Sequence, residues 1–370
     1  MIRRLLQLNG LAILGVILFH AAGWGFVAMF AWQARYAASV TPDFDPTGSA
    51  AYFALRLMEQ LAVFAIPAFL FVSGYFVAFA TRRDQRTVGW NVIGARIKGL
   101  AIPYLIWSVA LFTLAALQGQ VFTPTQYLIG LLTGQANPAY YYVPLLIQFY
   151  LLAPLLVPLA RRRWRLLLLA TALIQLTVQV LYFPTLYNVA APAALEPFVD
   201  VLPKWLFPVR IFWFTLGMVA GFHLAELKAL LARIKWPALI AAILLIPLGV
   251  IEWETILRLS HQPLLAHRET LLDTVYSLAV LLAFLAFDKT PLPRARQLES
   301  LGAKSFGIYL VHSPAMEFAA RGLYHLAPWV LAQQFLFQPL IIVAGLSAPL
   351  LLMALVDRSP ARKFYKALFG

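Results

Sequence analysis

Ten apolar stretches, joined by short polar connections, dominate the chain: 5–31, 56–80, 93–117, 140–160, 166–183, 206–224, 236–252, 270–287, 302–320 and 334–356. A helix crossing the roughly 30 Å hydrocarbon core of a bilayer needs about 20 mostly apolar residues. Lipid offers the backbone no hydrogen bonds, so such stretches satisfy their own by becoming helices. The pattern predicts an all-α fold, a polytopic transmembrane helical bundle of about ten helices. It forms a single domain over 1–370 with no soluble part of any size. Composition agrees. Only 12% of the 370 residues are charged and 62% are hydrophobic, where a soluble domain carries about 25% charge; mean hydropathy is +0.79.

The first stretch follows Arg3-Arg4, as a secretory leader would. It runs on to Phe30, carries Asn9 and His20 and lacks a small-x-small cleavage site, so it reads as a retained helix. The segment from Tyr127 to Leu132 is too short to span and is expected at the interface. The outer connections 32–51, 184–205, 252–269 and 321–333 are too short to fold as domains.

With the N-terminus inside, 22 of the 29 Lys and Arg fall on the cytoplasmic side, in clusters such as Arg82-Arg83, Arg161–Arg165 and Arg358–Lys366. Arg35, Arg56, Lys204, Arg210, Arg258, Arg268 and Arg321 are left for the outside. A bias of this size in short loops sets the orientation as N-in, C-in, in the cell's inner membrane. It also accounts for the net charge of +14 without nucleic acid as a partner. No phosphate loop, zinc signature or basic–aromatic interleaving points there. The absence of cysteine excludes disulfides, thiolate nucleophiles and cysteine-ligated metal; no metal site is expected. No inverted repeat of the kind many transporters show is visible.

Ionisable residues inside membrane helices are rare and are functional candidates. His20 lies deep in the outer half of the first helix. Asn9 precedes it by eleven positions, close to three whole turns, so the two share a face. Ser305, Tyr309 and His312, at offsets of 0, 4 and 7, form one polar stripe on a later helix. Helix–helix hydrogen bonding is the plainer reading of both groups. Arg56 and Glu59 can pair at the outer end of the second helix, and Arg96 and Lys98 stand at the inner end of the third; structural roles are the plainer reading of each. His223, His261, His267 and His325 fall at helix ends or in loops. Two deep imidazoles suit proton transport or base chemistry on a hydroxyl.

Five segments together resemble the acyltransferase-3 family of integral membrane acyltransferases. They are Asn9-Gly-Leu-Ala-Ile-Leu-Gly-Val-Ile-Leu-Phe-His20, Phe64-Ala-Ile-Pro-Ala-Phe-Leu-Phe-Val-Ser-Gly-Tyr75, Arg96-Ile-Lys-Gly-Leu-Ala-Ile-Pro103, Tyr141 through Pro154, and Ser305 through His312. They run in the family's order across nearly the whole chain. The resemblance implies transfer of an acyl group, commonly acetyl from acetyl-CoA, to a hydroxyl of a carbohydrate or lipid-linked acceptor. Acyl-CoA is then a donor substrate, with no cofactor held permanently. His20 is expected to accept the hydroxyl proton or to carry the acyl group. His312, with Tyr309 and Ser305, would orient the acceptor or polarise the thioester. Both imidazoles are expected on one cavity opening to the inner surface near Asn9 and Arg96. Arg56 and Glu59 fall on the acceptor side; Asn9, Arg4, Arg96, Lys98, Ser73 and Tyr75 on the donor side.

One position departs from the family pattern. An arginine usually stands eleven residues before the first-helix histidine, and here it is Asn9. An amide hydrogen-bonds but does not neutralise phosphate. Arg4 or Arg96 could substitute; a different donor, or a subfamily drifted from catalysis, are the alternatives. Two further readings stay open: a transporter of a glycan or lipid-linked intermediate, and a catalytically silent partner in polysaccharide synthesis.

Overall fold

The computed structural model describes residues 1–36, 47–81, 85–190, 202–261 and 269–370, and among them helix is the only regular structure. The elements are α1 (Ile2–Phe26), continued by a π-helical turn to Ala31, α2 (Ala50–Ala62), α3 (Ala65–Ala80), α4 (Trp90–Leu117), α5 (Pro124–Thr133), α6 (Tyr142–Arg162) and α7 (Trp164–Tyr187). There follow α8 (Ile211–Phe222), α9 (Leu224–Ser260), α10 (Leu271–Ala286), α11 (Ala295–Ala303), α12 (Ser305–Leu326), α13 (Gln334–Asp357) and α14 (Tyr365–Phe369).

Each of the ten expected stretches falls on helix, but not each is a full span. Seven segments are long and apolar enough to cross a bilayer: α1, the α2–α3 pair, α4, α6, α7, α9 and α13. α8 and α10 have only 12 and 16 residues. α12 has 22, diluted by Glu317 and Arg321. The expected outer connections 252–269 and 321–333 are shorter than the sequence suggests, because α9 runs on to Ser260 and α12 to Leu326. The short amphiphilic segment around Tyr127 is α5, with a Thr123–Gln126 capping box and Gly134 left-handed at its end.

The break between α2 and α3 has a local cause. Pro67 lacks an N–H, and in a continuous helix its ring would strike the carbonyl of Val63, four residues back. The chain turns at Val63-Phe64 and restarts, with Pro67 tolerated in the first turn of α3. α8 packs on α3 almost backbone to backbone. A Cβ at Gly74 would collide with the Phe214 carbonyl, and one at Gly217 with the Phe71 carbonyl. Small residues at such crossings are how membrane helices approach closely.

Contacts sort the helix ends as the charge bias predicts. Arg161 Nη1 donates to the Gln85 carbonyl at 2.5 Å, His223 Nε2 is 3.0 Å from the Ala160 carbonyl, and Arg4 reaches the Thr290 carbonyl. Met1, Lys228, Lys235 and Lys289 line one pocket. These residues form the basic end of the bundle. At the other end Tyr52 donates to Glu254, Thr270 to Glu252, and Arg35 to the Tyr324 carbonyl. Arg82, Arg83, His267 and Arg268, and parts of the outer connections, lie outside the described residues.

Candidate active site

Near the end opposite the basic one, a cavity of about 230 Å³ opens among α1, the α2–α3 break, the turn before α6, and α12. Val16, Phe19, Val63, Ile66 and Pro67 give it apolar walls; His20, Tyr141, Lys204, Arg210 and Glu269 supply the polar groups. α3 begins at its edge, and the turn Pro138–Tyr141 leads from it into α6. Neither helix has a side-chain cap at its N-terminus, so two positive helix ends adjoin the cavity.

His20 lines this cavity, half-buried on α1. Behind it stands His312 of α12, fully buried, with ring centroids 5.1 Å apart and planes inclined at 54°. Nδ1 of His312 lies 2.7 Å from the Tyr309 carbonyl. A carbonyl only accepts, so in the neutral ring Nδ1 carries the proton and Nε2 the lone pair. That Nε2 is buried and hydrogen-bonds nothing in the protein.

The turn leading into α6 is fixed to α12 by two phenols. Tyr309 donates to the Ala139 carbonyl and Tyr140 to the Leu310 carbonyl. The Tyr309 ring also packs on Tyr142 and His312.

Across the cavity, Arg210 stands at the start of α8, buried, with Nε 3.3 Å from Glu269 Oε2. The other oxygen of Glu269 accepts from Trp213 Nε1 at 3.0 Å, Gln175 Nε2 at 3.2 Å and Thr274 Oγ1 at 3.0 Å.

A family model for an acyltransferase domain, that of acyltransferase family 3, matches residues 6–355. The chain belongs to the acyltransferase-3 family. No curated protein and no solved structure matches it. It is therefore a multi-pass membrane acyltransferase, and family membership favours this over the transporter reading.

For an acyltransferase of this family, the structure brings His20, His312 and Tyr309 together, but only His20 and Tyr309 line the cavity; His312 is sealed behind it, so the two imidazoles do not share the cavity as expected. The cavity lies away from the basic end, and neither Asn9 nor Arg96 lines it. The reason is depth: at 1.5 Å per residue, His20 stands about 16 Å beyond Asn9 and about 24 Å beyond Arg4 along α1. The Tyr309 hydroxyl, expected to meet substrate, is taken by Ala139. Ser305 starts α12 one turn below Tyr309 and does not line the cavity.

The donor-side residues are scattered. Arg4 donates to the Phe284 carbonyl at 2.8 Å and lies 4.0 Å over that ring, capping the end of α10. Arg96 donates to the Phe76 carbonyl at 3.0 Å, near the end of α3. Lys98 is exposed, Asn9 is half-buried with Oδ1 unpartnered, Tyr75 is buried in the core, and Ser73 sits beside the Tyr142 phenol. Arg56 is buried between Glu59 at 2.8 Å and Glu254 at 3.4 Å, stacked over Phe26, and neither Arg56 nor Glu59 lines the cavity.

Arg210, Glu269, Lys204 and Tyr141 were not among the expected site residues; Arg210 and Lys204 counted only as outer charges, and Glu269 only as the end of an outer connection. The signal available was position. Arg210 directly precedes the apolar run of α8, and Glu269 the capping Thr270 of α10, where a charge is drawn to membrane depth.

Proposed function

We propose that this acyltransferase moves an acyl group, acetyl above all, from acyl-CoA to a hydroxyl of a carbohydrate or lipid-linked glycan at the outer side of the cell's inner membrane. The observation that carries the reading is the pair of imidazoles. His312 has its proton fixed on Nδ1 and an unpartnered Nε2 beside His20. Accepting the His20 N–H through a bridging water, that Nε2 leaves the lone pair of the other His20 nitrogen toward the cavity. This is the tautomer a general base needs.

The acceptor oxygen attacks the thioester carbonyl while His20 takes its proton. The tetrahedral intermediate expels the thiolate, and His20 returns the proton to sulfur, giving ester and free CoA.

The test is turnover of labelled acetyl-CoA by purified, monodisperse protein. His20→Ala should lose about 10²–10⁴-fold, the usual worth of a positioned base, while calorimetry shows unchanged CoA binding. Near-normal turnover in that variant removes the chemical basis of the reading.

A further inference from the structure

We infer that Arg210, held by Glu269, stabilises the oxyanion formed on the thioester carbonyl during acyl transfer. The inference rests on the acyltransferase reading above and adds a catalytic residue to it.

Arg210 shares the cavity wall with His20. Its guanidinium is more than nine-tenths buried, yet Nη1 donates to nothing in the protein. A buried, unused charged donor is costly, and native structures keep such groups where they serve a purpose. Nε likewise makes no hydrogen bond and is held by charge alone, 3.3 Å from Glu269 Oε2. The other oxygen of Glu269 is held by Trp213, Gln175 and Thr274. The Tyr141 ring centroid lies 5.5 Å from the guanidinium carbon.

Two features favour a charge that develops during reaction over an anion already present on the substrate. Glu269 balances the formal charge of Arg210, which leaves a directed N–H donor rather than an uncompensated cation. The starts of α3 and α6 adjoin the same space, and positive helix ends, like fixed N–H donors, serve developing negative charge with no reorganisation at the moment of reaction. In the balanced step, attack by the hydroxyl oxygen forms the new C–O bond and moves the carbonyl π pair onto oxygen. Arg210 Nη1 hydrogen-bonds that oxyanion until the C–S bond breaks and the carbonyl re-forms. The proton travels through His20 to sulfur. Glu269 is a positioning residue, acting through Arg210.

The experiment compares kcat and KM for both substrates in the full-length wild type, Arg210→Gln, Arg210→Lys and Glu269→Gln. Arg210→Gln should lower kcat by about 10²–10³-fold, as loss of one oxyanion donor does, with KM little changed. Glu269→Gln should lower kcat in the same sense, again without moving KM. If Arg210→Gln fails to fold, Arg210→Lys keeps the charge and loses the planar fork, and a fall in its kcat at constant KM supports the same conclusion. A rise in acceptor KM with kcat retained overturns the inference and makes Arg210 a reader of an anionic acceptor. Unchanged kinetics in an active enzyme overturn it too. A wild type that transfers nothing from acyl-CoA sinks the underlying reading instead, so the two failures are told apart.

Discussion

His20 on α1 and His312 on α12 hold their imidazoles 5.1 Å apart, one on the cavity wall and the other sealed behind it. The asymmetry divides their labour: the cavity-facing ring can meet substrate, and the buried ring can only act through it.

His312→Ala should therefore retain more activity than His20→Ala, losing part of the 10²–10⁴-fold that base help supplies. His312→Gln, whose amide oxygen can accept the His20 N–H, should recover some of that loss with substrate KM unchanged. A dead His312→Ala beside an active His20→Ala would reverse the roles.

Asn9→Arg should be tolerated, because Asn9 is half-buried with an unpartnered Oδ1. If the family's usual arginine meets the donor, the variant should bind CoA more tightly than wild type by calorimetry. Arg4→Ala, by contrast, should lower Tm and leave CoA affinity alone, since Arg4 is occupied at the end of α10.

Arg56→Met leaves Glu59 and Glu254 without their cation. Breaking a buried ion pair on one side costs about 3–5 kcal/mol, so the thermal midpoint should drop clearly. Turnover per folded molecule should hold, because Arg56 is off the cavity wall. A selective rise in acceptor KM would restore the acceptor-side role read from the sequence.

Gly217→Ala drives a methyl into the Phe71 carbonyl, a backbone atom that cannot step aside without moving α3. Overpacking of this kind costs about 1–3 kcal/mol. Gly74→Ala should behave alike, both measured as lowered Tm and lost monodispersity in detergent. Gly23→Ala, with open space at its Cβ position, is the control.

With no native cysteine, Arg163→Cys and Lys289→Cys should label from one side of the membrane and His325→Cys from the other. Labelling of positions 163 and 289 from opposite faces would overturn the alternation read from the charges.

The sequence by itself determined the helices, their order, their charged ends and the depth of the two histidines. Each of these follows from run length, charge and residue rise along a single axis. Proline chemistry even accounts for the α2–α3 break, since Pro67 and Val63 are four residues apart in sequence. The tertiary structure alone decided which faces meet. The ionisable side chains let the sequence place His20 and His312 near one another, but helices apolar on most sides carry little else to mark their neighbours, so only the structure shows that His312 stands behind His20 rather than on the cavity, or that Glu269 pairs with Arg210. The same limit explains Arg4 and Arg96. Their charge was legible, but whether a guanidinium awaits a phosphate or caps a carbonyl depends on what the neighbouring helix places within 3 Å of it.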